Sequence, residues 1–296
     1  MTTTPRVWTR YVALGDSFSE GLSEVDPDRD DHFLGWADRL AVHLARHAAN
    51  HGQELTYANH AVRGRKLDDV VGPQLEKALA QTPDLVSLVG GGNDILRPRV
   101  DLDDIASRLE EAVIALRATG ADVLLATPVD TAEAGLMSPL RGRHAVHTAN
   151  LWTIAGRHGA HVINLWSLHA LRDWRMWSAD RIHLTAEGHR RVALAALDAL
   201  GFETDRDDWE TRLPPTPMGT RIERAKAHAE WVNAHATPWV GRRLRGRSSG
   251  DGREAKRPQL EVVTPDWSAH FDGLAGRPPS DKAGGSGPLG PPPFAV

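Results

Sequence analysis

The 296-residue chain contains no cysteine. That absence excludes disulfides, thiolate nucleophiles and cysteine-ligated zinc or iron–sulfur centres. It also lacks a strong charge excess: 35 Lys and Arg stand against 39 Asp and Glu, a net charge of -4. Nucleic acid and anionic membrane surfaces are therefore not expected partners. Long apolar runs are missing too. None approaches the roughly 20 residues that a membrane span requires, and "MTTTPRVWTR" at the start has no apolar stretch suited to a secretory leader. These absences set the expectation of a cytoplasmic protein with no membrane span. The 41% of hydrophobic residues is enough for an ordinary globular core.

What is present is an alternation. Short apolar runs fall at residues 11–14 (YVAL), 55–59 (LTYAN), 85–89 (LVSLV), 122–127 (DVLLAT) and 161–165 (HVINL). They are nearly continuous in apolar character, which predicts strands covered on both faces in a parallel sheet. Between them the period changes to that of a helix. Trp36, Leu40, Leu44 and His47 share one helical face; so do Leu67, Val71, Leu75 and Leu79, and again Ile105, Leu109, Val113 and Leu116. Gly120 suits a C-terminal cap, and two further helices are expected over 143–158 and 187–200. Five such β-runs alternating with helices predict a doubly wound α/β fold with a five-stranded parallel sheet.

After Gly201 the rhythm stops. Ile222, Ala225, Ala229, Val232, Ala236 and Trp239 step by three and four, so one more helix is expected over 220–236, packed back on the domain. From Gly241 the chain is first basic and glycine-rich, then dominated by proline, glycine and small residues. Such a segment buries too little apolar surface to offset its ordering entropy, which predicts a largely disordered tail over 241–296, dispensable for small substrates.

In an open parallel sheet, ligands bind beyond the carboxyl ends of the strands. Gly15, Asp16 and Ser17 follow the first strand, and Asn59, Arg63 and Gly64 the second. "GGGND" follows the third, and "SADRIHLTAEGH" lies beyond the fifth. A serine hydroxyl needs a base to become a nucleophile, and histidine suits that role near neutral pH. The base in turn needs a carboxylate to fix its tautomer, and Asp180 lies three residues before His183. An oxyanion needs preorganised donors, which the N–H groups of Ser17 and Gly64 and the Asn93 amide can supply. Asp94 suits a helix cap, and Asp16 a role in shaping the turn around Ser17. Asn59 and Arg63 suit either steadying the second loop or, for Arg63, touching substrate. Trp166, Trp174 and Trp177 are candidates to wall a pocket or to pack. His144/His147 and His158/His161 have metal-like spacings without a carboxylate at clear ligand spacing, so no metal and no cofactor is expected.

"GDSFSEG", the Gly64 of "AVRGR", "GGND" and "DRIH" together resemble four blocks of the SGNH (GDSL-type) hydrolases, in order, over about residues 9–200. The first block reads GDSF where the family name has GDSL. The resemblance implies a flavodoxin-like three-layer α/β/α sandwich for a hydrolase domain over 1–205; the helical extension expected over 206–240 lies outside it. The resemblance also implies Ser17 as nucleophile, His183 as base, Asp180 as its orienting acid, and Ser17, Gly64 and Asn93 as oxyanion donors. The activity it implies is a cofactor-independent serine esterase acting on a small-molecule ester. An acyltransferase or carbohydrate deacetylase on the same site, or a non-catalytic binding module, are the alternatives.

Overall fold

The computed structural model describes residues 5–26, 32–215, 231 and 248–268. The five expected strands form within two residues of their expected ends, and helices follow them in turn. Strand β1 (Arg10–Leu14) leads into the single-turn α1 (Ser17–Glu20), then α2 (Trp36–Asn50) and β2 (Leu55–Asn59). Next come α3 (Leu67–Asp69), α4 (Leu75–Ala80), β3 (Leu85–Leu88), α5 (Gly92–Ile95), α6 (Leu102–Ala118) and β4 (Asp122–Ala126). The chain continues through α7 (Arg141–His158), β5 (His161–Ile163), α8 (Ala186–Ala199) and α9 (Arg206–Glu210) to a strand not anticipated from the sequence, β6 (Arg257–Val263).

Successive side chains of a strand point to opposite faces, and the core divides accordingly. Tyr11 and Ala13 of β1 join α2 and α8 on one side, with Trp36, Leu40, Leu44 and Val192 fully buried. Val12 and Leu14 face the other way, toward Leu67 of α3, Leu109 and Val113 of α6 and Leu151 of α7. The result is an α/β/α sandwich. The segment expected as one helix through Leu67 and Leu79 is interrupted by a wide π-type turn over Val70–Gln74. Pro73 explains it, because proline has no N–H to give an α-helical ladder and its ring crowds the preceding turn.

The strand order is β5-β4-β3-β1-β2-β6. The first five strands are parallel, and β1 lies between β2 and β3. The chain therefore winds one way from β1 to β2 and the other way from β3 onward. That reversal opens a crevice beyond the carboxyl ends of β1 and β3, where a doubly wound sheet places its ligands.

The expectation of five strands is corrected. β6 adds a sixth, antiparallel to β2, with Leu55 opposite Val263 and Asn59 opposite Arg257. The expected disordered tail thus contains an ordered strand over part of 248–268. Residues 269–296, and the helix expected over 220–236 apart from Trp231, lie outside the described residues. No helix among the described residues is long and apolar enough to cross a membrane.

Candidate active site

Ser17 is the first residue of α1, delivered by β1 through the turn Gly15–Asp16. Asp16 caps this helix by accepting from Phe18 N at 3.0 Å. The first N–H groups of a helix have no carbonyl one turn back to bond, and the cap claims that of Phe18, so the helix leaves the Ser17 N–H available.

Asp180 and His183 lie on the loop before α8. His183 Nδ1 is 2.6 Å from Asp180 Oδ2, while Asp180 Oδ1 accepts from Ser178 Oγ at 2.7 Å and from the backbone N–H groups of Ile182 and His183. Burial works against ionising Asp180. The hydrogen bond and charge of His183, with the Ile182 and Ser178 donors, outweigh it and hold the carboxyl well below the usual carboxylate range. Both Asp180 oxygens are thus occupied, and the imidazole is fixed by its Nδ1 side. The loop itself turns at Arg181, whose backbone is left-handed (φ 59), and the Arg181 guanidinium lies over the rings of Trp174 and Trp231, at 5.3 and 4.8 Å.

Ser17 and His183 line the same small pocket of about 30 Å³, closed by Phe18, Leu22, Leu184 and His189. No hydrogen bond joins the serine hydroxyl to the imidazole among the described residues, a looseness usual before a substrate is bound. His189, fully buried beneath, is kept neutral by that burial.

Gly64 follows β2 in a left-handed conformation, φ 71, that a side chain would strain. Its N–H is not used within the chain among the described residues. Asn93 lies in α5 after β3, and its amide is engaged: Nδ2 donates to Asp16 Oδ2 at 3.0 Å and to Arg65 O at 2.9 Å. The structure therefore brings Asn93 to the serine turn through Asp16. Burial pushes the Asp16 carboxyl up to about 6, against the lowering effects of Phe18 N–H and His183. Asp94 does not cap the helix that contains it. Its Oδ2 accepts from Leu67 N at 2.9 Å, at the start of α3, so it ties the loop after β3 to the loop after β2.

A frame of buried charges supports this turn from below. Glu20 accepts from Arg63 N at 2.6 Å and pairs with the Arg63 guanidinium, which also stacks on Phe33. Glu24 pairs with Arg39. Lys256, from the segment before β6, donates to Glu20 O and Phe33 O at 2.7 Å and to Asp38 Oδ2 at 2.5 Å. Asn59 adds a bond from Nδ2 to Ser19 O at 2.8 Å. Three cations offset three carboxylates, as buried charges require. Arg63 and Asn59 thus steady the second loop, and the buried Arg63 guanidinium is committed to Glu20 rather than open to substrate. Glu20, Asp38 and Lys256 were not singled out from the sequence. Lys256 and Asp38 are 218 positions apart, so no spacing signals their pairing.

Of the two histidine pairs, His158 and His161 separate. His158 bonds Glu110 and His161 bonds Ala199 O. His144 and His147 are on the buried side of α7, where burial lowers both, His147 to about 4. Among the described residues no three metal-ligating side chains converge. Trp177 donates Nε1 to Leu171 O and packs on the core.

A serine, a carboxylate-held histidine and two available backbone N–H groups thus lie at the mouth of the doubly wound sheet. Residues 13–191 match the GDSL-like Lipase/Acylhydrolase family. That is more than half of the chain, and the protein belongs to this family. Its fold is similar to that of LAE5, an alpha/beta hydrolase enzyme from the metagenome of Lake Arreo, with TM-score 0.56, 22% identity, and 65% of this chain and 95% of that one covered. It is similar to Axe2, an acetylxylan esterase from Geobacillus stearothermophilus (TM-score 0.55, 22% identity, 66% and 95% covered). It is also similar to TesA (TM-score 0.52, 21% identity, 65% and 98% covered). No curated protein matches the chain in sequence.

Proposed function

We propose that this family member is a serine esterase that hydrolyses carboxylic esters through an acyl-enzyme. The observation that carries the reading is the 2.6 Å contact of His183 Nδ1 with Asp180 Oδ2, with His183 and Ser17 on one pocket. In the first half-reaction His183 Nε2 takes the Ser17 hydroxyl proton as Ser17 Oγ bonds to the ester carbonyl carbon. The carbonyl oxygen becomes an oxyanion facing the N–H groups of Ser17 and Gly64. Collapse breaks the bond to the alcohol oxygen, which receives the proton from His183. Water then repeats the sequence and releases the acid. Asn93 joins the oxyanion donors by exchanging one of its present acceptors for the developing charge, which is the stronger acceptor.

Removing metal should leave this chemistry intact, because the base is a side chain and not an ion. The fold likeness to an acetylxylan esterase makes acetylated carbohydrate a substrate class to set beside simple short-chain esters. The test is hydrolysis of chromogenic esters of graded acyl length and of acetylated sugars by the protein and by Ser17→Ala. Activity lost in the variant supports the reading, and activity retained rejects it. Added alcohols in the same assay separate hydrolysis from acyl transfer.

A further inference from the structure

The chain that returns after residue 247 covers the second loop of the site, and the contact is closest at a backbone. Gly250 lies against Arg63: a Cβ placed on Gly250 would fall 2.0 Å from Arg63 O and 3.1 Å from Arg63 C. Gly250 is not among the residues with positive φ, so its backbone tolerates a side chain; the Arg63 carbonyl forbids one, and Val62 Cγ1 at 3.2 Å would crowd it. Ser248 stands over the next residue, where a Cβ on Gly64 would fall 2.0 Å from Ser248 Oγ.

This turn has its own internal bonds. Ser248 Oγ accepts from Gly250 N at 3.1 Å, and Ser248 N donates to Asp251 Oδ2 at 2.9 Å. Lys256 anchors the chain a few residues on, at Glu20 O and Asp38.

Arg63 C=O and Gly64 N–H belong to one planar peptide unit, so they cannot turn separately. Glu20 accepts from Arg63 N of the preceding peptide, and the Ser248–Gly250 turn lies against the Arg63 carbonyl of this unit. We propose that Gly250 is a positioning residue for the Gly64 N–H. Its missing side chain lets the returning chain lie flat on the Arg63–Gly64 peptide and set the direction of that donor. The inference rests on the esterase reading, and it makes a segment outside the family match a part of the active site.

The test uses the full chain. Gly250→Ala pushes on Arg63 O and rotates the peptide plane, which should lower kcat for a short-chain ester by roughly tenfold or more, with KM within about twofold. The Gly64 amide resonance should shift in the ¹⁵N–¹H spectrum of the same variant. A merely structural Gly250 would change the melting temperature and leave kcat and the Gly64 resonance in place. If Gly250→Ala does not fold, Ser248→Ala loosens the turn without adding atoms, and should lower kcat by about threefold and move the same resonance. Parental kcat, or an unmoved Gly64 resonance, in the folded variant overturns the inference. Activity that survives in Ser17→Ala overturns instead the esterase reading beneath it.

Discussion

Asn93 Nδ2 donates across 3.0 Å to Asp16 Oδ2, so the amide proposed for the oxyanion is tied to the residue just before the proposed nucleophile, Ser17. Asn93→Ala removes both the proposed transition-state donor and a partner of a buried carboxyl. The loss in kcat should be on the order of 10²–10³-fold with KM little changed. Unfolding free energy should fall by about 1–3 kcal/mol as Asp16 loses a donor. Kinetics and denaturant unfolding on the one variant decide the role. A stability loss with kcat intact would make Asn93 a tie and not a donor.

The Asp16 carboxyl gives the fold a particular pH dependence. Its value rises from 3.8 to about 6 through burial, so between those limits the native state holds a proton that the unfolded chain has released. The stability this group contributes is greatest below pH 4 and declines as pH rises through 6, by about 3 kcal/mol in all. Asp16→Asn removes the titration. The difference in unfolding free energy between variant and parent should therefore move in the variant's favour from pH 4 to pH 7. Parallel curves would show that Asp16 titrates alike in both states.

Asp180→Asn should keep the loop folded, since an amide oxygen can accept from Ile182 N and His183 N as Asp180 Oδ1 does. It cannot hold the imidazole in the tautomer that leaves Nε2 free to accept a proton. A loss of about 10³–10⁴-fold in kcat with an unchanged melting temperature is expected. A loss under tenfold would remove Asp180 from the base.

Lys256 ties part of the expected tail into the domain. Its buried ammonium pairs with the buried carboxylate of Asp38. Lys256→Met should cost about 3–5 kcal/mol of stability, because it leaves a carboxylate without its charge partner. Lys256→Arg keeps the charge and should cost less. Chemical denaturation of both variants measures the difference, and a neutral Lys256→Met would show that Asp38 finds another partner.

The sandwich was legible because its strands are buried on both faces and so read as continuous apolar runs, from "YVAL" to "HVINL". β6 was not. An edge strand has one solvated side, carries charge and tolerates proline, and "RPQLEVV" with Pro258 and Glu261 reads as loop. At the candidate site, the serine turn and the Asp-x-x-His pair were legible because each works over a few residues. Asp180 and His183 are three apart. Asp94 suits a helix cap, but which helix was not legible, because its acceptor role spans 27 positions, to Leu67 N. The frame of Glu20, Asp38 and Lys256 exists only after the chain has folded, and no local pattern records it.

Ser17 is the residue proposed to carry the acyl group. Incubation with an organophosphonate ester, followed by mass mapping of the adduct, tests this without knowledge of the natural substrate. One equivalent of label on Ser17 is predicted, with loss of esterase activity in step with labelling and no label on Ser17→Ala. Label on another residue, or esterase activity that persists in a fully labelled protein, would contradict it.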